Sequence, residues 1–177
     1  MSPRIVQLAG RAVLAAALAG SLADCGRPAA NATEAVTQFY AVLDAAGVHR
    51  VPDAAQLTAL TPYLADSLAH ALDRARAMRE SAETSAPGEK PPFADGDIFS
   101  SLFEGRTASV VKDSVARGDT TLVVVQFTND TQKPPVEWKD TVVVVNQGGR
   151  FRLADIRYGT AWEFGFRGRL LDLLTTP

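Results

Sequence analysis

The segment Pro91 to Gly105 reads Pro-Pro-Phe-Ala-Asp-Gly-Asp-Ile-Phe-Ser-Ser-Leu-Phe-Glu-Gly. Phe93, Phe99 and Phe103 crowd together with Ile98 and Leu102 between a double proline and a glycine, and Asp95 and Asp97 flank Gly96. The prolines lack the N–H groups that regular structure needs, while side chains this apolar are not left in water. The segment is therefore expected to be an irregular but buried connector. The hydrophobic pattern is helical before it and extended after it, which predicts an α+β fold with helices packed against a curved antiparallel sheet of about four strands.

Upstream, Asn31 with Glu34 three residues later is a helix start of the capping-box kind. Val36, Phe39, Tyr40 and Leu43 follow at i, i+3, i+4 and i+7, and Gly47 marks the end. Pro52 with Asp53 opens a short helical turn through Leu60. Thr61 before Pro62 predicts a second start, because proline is tolerated at the first helical position. A long helix then carries Leu64, Leu68, Leu72 and Ala75 on one face, and the pairs Arg76 with Glu80 and Arg79 with Glu83 on the other. Such i,i+4 pairs add only a few tenths of a kcal/mol each. Ser85 to Pro92, with four of its residues proline or glycine, is irregular.

Downstream, Thr107 to Arg117, Thr120 to Asn129, Val136 to Gln147 and Arg150 to Tyr158 are rich in Val, Thr, Phe and Trp. Gly118 with Asp119 and Gly148 with Gly149 are hairpin turns, and a loop through Pro134 and Pro135 joins the middle pair, so a four-stranded meander follows. Counting outward from Gly148 and Gly149 pairs Gln147 with Arg150, Val144 with Leu153, Val142 with Asp155 and Asp140 with Arg157. Trp138, Asp140, Val142 and Val144 then face the helices together with Phe151, Leu153, Asp155 and Arg157. Valines fall on both faces of Leu122 to Val125 and Val142 to Val145, so the second face is expected to be covered, by the C-terminal leucines 170, 171, 173 and 174 or by another copy of the chain.

The first residues set an address. Arg4 and Arg11 are followed by the small and apolar run Ala12 to Leu22, the pattern of an export signal. The run is shorter than the roughly 20 residues that span a bilayer. Leu22-Ala23-Asp24-Cys25 resembles a bacterial lipobox, with Asp24 where a small residue is usual. That resemblance implies cleavage before Cys25 and lipidation of its thiol; ordinary cuts after Ala23 or after Ala32 are the alternatives. Cys25 is the only cysteine of the chain, so no disulfide holds the fold. The expected organisation is a signal over residues 1–24, a tether over 25–32, an α+β domain over 33–159 and an apolar segment over 160–177. The product is an exported protein, periplasmic or held at the membrane as a lipoprotein.

Composition narrows the partners. The net charge is −2, and losing residues 1–24 leaves −3, so neither a nucleic acid nor an anionic membrane surface is matched by a basic field. Contact with a membrane is expected only through a lipid on Cys25. His49 and His70 stand 21 residues apart without a cysteine or carboxylate cluster, so they lack the constellation of a metal site, and no cofactor is expected. Asp95, Asp97 and Glu104 are carboxylates close in sequence, but the remaining ligands of a calcium loop are missing.

The chain resembles a bacterial family of exported proteins and lipoproteins, domain of unknown function 3828. The resemblance is carried by Phe39-Tyr40, by Asp95-Gly96-Asp97-Ile98-Phe99-Ser100-Ser101-Leu102-Phe103, by Trp138 with Asp140, and by Arg152 with Asp155, Ile156 and Tyr158. It covers roughly residues 33 to 159, with Phe151 near the place of an expected tryptophan. It implies an outline similar to the NTF2-like cone, with helices in the hollow of a bent sheet, and it implies no activity.

Two functions compete on these residues. A non-enzymatic envelope domain would bind a protein or a small ligand, with Asp95, Asp97, Trp138, Asp140 and Arg157 as candidate contacts; assembly with further copies of the chain is compatible with it. A pocket isomerase or hydrolase would use inward Asp140 or Asp155 as general base and Tyr40 or Tyr158 to polarise a carbonyl. The absence of a nucleophile and base set, of metal spacing and of a phosphate-binding glycine loop favours the first. An immunity protein or inhibitor acting on an envelope toxin or hydrolase is a third possibility.

Overall fold

The computed structural model describes residues 28–159 and 162–175. The signal, Cys25 and the cut after Ala23 lie outside the described residues. In chain order come α1 (Ala32–Ala45), α2 (Ala54–Leu60), one 3-10 turn (Thr61–Tyr63), α3 (Asp66–Ser85), β1 (Ala108–Arg117), β2 (Thr120–Asn129), β3 (Val136–Gln147), β4 (Arg150–Arg157) and α4 (Leu170–Thr175). The strands form one open antiparallel sheet in sequence order. The fold is thus α+β, with helices against a curved four-stranded sheet.

The Asn31 side chain accepts the Glu34 N–H at 2.9 Å and starts α1, and the Glu34 carboxylate closes the cap one residue out, on the Ala30 N–H. Cleavage after Ala32 would remove this cap, a loss of about 1 kcal/mol to the helix. Gly47, at φ 62°, turns the chain where a side chain would be strained. Asp53 and Gln56 form a full capping box on α2.

The long helix does not begin at Pro62. Pro62 lies in the 3-10 turn, Leu64 is extended, and α3 starts at Asp66. The reason is the free edge of β4: the Leu153 carbonyl takes the Ala65 N–H at 2.7 Å, and Leu64 bridges Leu153 in parallel. A helix through Leu64 would forfeit those bonds. Gln147, at the end of β3, then accepts the Asp66 N–H at 3.2 Å and donates to the Asp66 carboxylate at 2.7 Å, supplying the cap that Ala65 cannot.

One core joins the two halves. Val36, Phe39, Tyr40 and Leu43 of α1, with Leu68 and Leu72 of α3, share one core with Val123, Val125, Phe127, Val142, Val144, Leu153 and Ile156 of the sheet. Phe39 packs edge to face on Tyr40 and Phe99, and Tyr40 on Phe127, with centroids 5.2 to 5.8 Å apart. Each such pair adds about 0.5–1.5 kcal/mol beyond the area it buries. Asp97 to Leu102 are all buried, so the middle of the connector joins the core, whereas Pro91 to Ala94 are half-buried and Asp95, Glu104 and Phe103, the last 39% exposed, reach the surface.

Two irregularities shape the sheet, one between Val111 and Asp113 of β1 and one between Leu153 and Asp155 of β4. The second corrects the counted register. Gln147 pairs with Arg150 and Val144 with Leu153 as expected, but Ala154 is an extra residue, and beyond it Val143 pairs with Asp155, Val142 with Ile156 and Thr141 with Arg157. Ile156 is therefore buried and Arg157 exposed, and Asp140 does not face Arg157. The C-terminal leucines are on the helix side: Leu170 and Leu174 of α4 are buried in the common core, and α4 packs against α3 and β4. The outer sheet face stays open, with Val110 51% and Val115 43% exposed and Leu122, Val124 and Val145 half-buried.

Candidate functional site

Asp140 is 1% exposed on β3, and both of its oxygens are engaged by main chain. One accepts the Ser101 N–H at 2.7 Å and the other the Gly159 N–H at 2.8 Å. Burial pushes the carboxyl above its ordinary range, and these two bonds oppose the push. Gly159 has no room for a side chain, since a Cβ there would meet the Lys139 carbonyl. Asp140 thus fastens the connector and the end of β4 to β3.

The two tyrosines are similarly committed. The Tyr40 hydroxyl donates to the Phe99 carbonyl at 3.0 Å and the Tyr158 hydroxyl to the Ile98 carbonyl at 2.7 Å. Burial pushes both phenols well above their ordinary value; the Arg106 guanidinium opposes the push at Tyr40, and Asp140 adds to it at Tyr158. Asp155 accepts its neighbour's N–H from Ile156 at 2.9 Å and the Leu171 N–H of α4 at 3.1 Å, with Arg169 at 3.4 Å. Burial raises this carboxyl too. Trp138 is interior, between Phe127 at 5.6 Å and Trp162 at 6.0 Å.

Beneath the connector lies a charged group that sequence reasoning did not single out. Arg106, its side chain 1% exposed, donates to Asp97 at 2.5 Å and to Asp44 of α1 at 2.6 Å, with its guanidinium 4.9 Å from the centre of the Tyr40 ring. Burial pushes the Asp97 carboxyl up while the guanidinium and the Phe99 N–H pull it down. The Arg106 Nε has no hydrogen-bond partner. The only signal in the sequence was a charged residue directly after the connector's closing glycine.

Above this ion pair opens a cleft of about 550 Å³. One wall is the turn after α1, with Gly47, His49 and Arg50, backed by Gln56 of α2 and Arg79 of α3; the other is the connector, with Ala94, Asp95, Asp97, Phe103 and Glu104. The Ile98 N–H donates to the His49 carbonyl at 2.9 Å and fixes the two walls together. Gly96 is forced: its φ is 80°, and a Cβ would sit 2.8 Å from the Phe103 and Phe166 rings. Phe93 at φ 58° carries backbone strain beside it, of about 1–2 kcal/mol.

Several charges in the cleft are already used. Asp95 pairs with Lys90, Asp97 with Arg106, and Asp53 caps α2. Arg79 donates to the Val51 carbonyl at 2.7 Å, and its Nε lies 3.6 Å from Glu83. Arg50 keeps one bond of 3.3 Å, to the Ala94 carbonyl. The His49 ring and the Glu104 carboxylate face solvent without a side-chain hydrogen bond.

Of the residues singled out in the sequence, Asp95, Asp97 and Glu104 come together on this cleft. They do not converge on one point: no three His, Cys, Asp or Glu among the described residues are placed to hold a metal ion. Trp138, Asp140 and Arg157 are not part of the cleft, and Tyr40 and Asp155 lie elsewhere. Compared with known proteins, the chain matches no protein-family model, no curated protein and no solved structure.

Proposed function

We propose that this chain is an exported, envelope-associated binding domain without catalytic chemistry, and that its ligand enters the cleft over the connector. The observation that carries the reading is a contrast. The inward carboxylate suited to catalysis has both oxygens bonded to main-chain N–H groups, whereas the open cleft presents Arg50, His49 and Glu104. A general base must reach the proton it takes from substrate, and Asp140, 1% exposed with each oxygen held by a main-chain N–H, faces no cleft among the described residues. An isomerase or hydrolase working through Asp140 or Asp155, with Tyr40 or Tyr158 as polariser, draws no support from this geometry.

A guanidinium on one wall and a carboxylate on the other suit a ligand carrying both charges, a zwitterionic small molecule or a short peptide. The volume lies in the range of small-ligand sites. Membership of the domain of unknown function 3828 family is part of the proposal. It is supported by the way the residues of the resemblance meet: Tyr40, Tyr158 and Asp140 all bond the main chain of Ile98 to Ser101. Lipidation of Cys25 would tether the domain to a membrane, and intact mass of the exported product decides that point.

The binding claim is tested by calorimetric titration of the purified protein with free amino acids and dipeptides. Arg50→Gln and Glu104→Gln are expected to weaken the best ligand a few-fold each, the scale of exposed charge contacts, with unchanged thermal stability. Absence of binding across the set, or turnover of carbonyl or ester substrates that Asp140→Asn abolishes, would overturn the reading.

A further inference from the structure

The two edges of the sheet differ. The edge of β4 is bridged by Leu64 at Leu153 and by Arg169 at Arg157. The free edge of β1 bonds no main chain among the described residues, and Lys112 to Arg117 are all exposed. Bare N–H and C=O groups of this kind are a template for another strand.

A bulge and a lysine ordinarily discourage such pairing, and β1 has both. For an identical strand laid antiparallel, however, the bulge favours pairing. Before it, Ser109 and Val111 pair with the buried Phe127 and Val125 and so point inward, while Val110 points outward. After it, Ser114 and Ala116 point inward and Asp113 and Val115 outward, because Lys112 is an extra residue that reverses the alternation. A two-fold axis between Lys112 and Asp113 then sets Val110 opposite Val115 of the second copy, Val111 opposite Ser114 and Ser109 opposite Ala116, each pair on a common face. Displaced by one residue, pairs across the bulge oppose inward side chains to outward ones; displaced by two, the centre does.

The facing residues are complementary as well. Val110 and Val115, 51% and 43% exposed, cover each other, and Lys112 meets Asp113 on both sides of the axis. Asp113 holds the adjacent Ser114 N–H at 2.7 Å through one oxygen, which leaves the other for the lysine.

We propose that β1 is the edge along which a second copy of this chain adds, antiparallel and centred between Lys112 and Asp113, so that two four-stranded sheets become one. The cleft over the connector takes no residue from β1, so the dimer does not depend on the ligand reading.

Sedimentation velocity of the purified protein tests this. The parent is expected to sediment as a concentration-dependent dimer. Lys112→Asp sets aspartate against aspartate twice across the axis, and Asp113→Lys sets lysine against lysine, so each alone should weaken the dimer on the order of tenfold. Both positions are exposed, so neither change threatens folding. Mixed in equal amounts, the two variants restore both opposite-charge pairs and should form a heterodimer of about the parent's affinity. A parent that is monomeric at every concentration, a dimer that both charge changes leave intact, or a mixture as monomeric as its components would overturn it.

Discussion

The Asp97 carboxylate and the Arg106 guanidinium, nine residues apart in sequence, meet at 2.5 Å and are shut from water together. The pair folds the connector back on itself just before β1, and the second arm of Arg106 reaches Asp44 of α1. Helical half and sheet half are thus joined by one guanidinium.

Arg106→Ala leaves Asp97 buried and unpaired. The expected loss is about 3–5 kcal/mol in urea unfolding, whereas Arg106→Met combined with Asp97→Leu should recover a large part of it, because breaking a buried pair costs more than replacing both members. A single variant as stable as the parent would remove the pair from any account of the fold.

Asp140→Asn places an amide donor against one of two main-chain N–H groups, with an expected loss of about 1–3 kcal/mol. Its pH dependence has a definite sign. The folded carboxyl holds its proton more tightly than the unfolded chain, so its contribution is complete below about pH 4 and fades as pH rises through the raised folded value. The stability gap between parent and variant should therefore be widest in acid and narrow toward neutrality. Urea titrations across that interval measure it, and a gap that widens upward contradicts the assignment.

Gly96→Ala and Gly88→Ala separate crowding from backbone strain. Both glycines have positive φ, 80° and 95°, but only the Cβ at Gly96 meets aromatic rings. Gly88→Ala should cost about 1 kcal/mol and Gly96→Ala clearly more. Thermal denaturation of the two variants gives the comparison directly.

Tyr40→Phe and Tyr158→Phe each strand a carbonyl of the connector, Phe99 or Ile98. An expected loss of about 1–3 kcal/mol per variant follows from leaving a buried acceptor unpaired. Neither change alters the lining of the ligand cleft, so ligand affinity should hold in both.

Much of this architecture could be read from residues in order, because caps and periodicity are local. Asn31, Asp53 and the glycine turns act over three or four positions, and those elements lie where the pattern puts them. Burial of the connector's middle was legible from its apolar crowding between a double proline and a glycine, but the exposure of Phe103 was not. Legibility failed where a distant partner decided the outcome. Leu153 withdraws Leu64 and Ala65 from the long helix across 88 residues, and nothing near Pro62 announces it. Arg106 looked like one more surface charge because its partners are set by the path of the connector. Of the candidate site, Asp95 and Asp97 were visible as a pair beside a glycine, while His49 and Arg50 join them through the Ile98 to His49 bond and the Arg50 bond to the Ala94 carbonyl, neither of which is local in sequence.

Ala154, the supernumerary residue of β4, works as a frameshift in the pleat. If Ala154 were instead kept in line as a paired residue, Val142 would pair with Asp155 and Asp140 with Arg157, sending Ile156 out to solvent and turning Arg157 in toward the core. Which side chains of β4 face the core is therefore decided by the single place where the strand sets its extra residue aside, and a chain lacking Ala154 would keep Ile156 facing in.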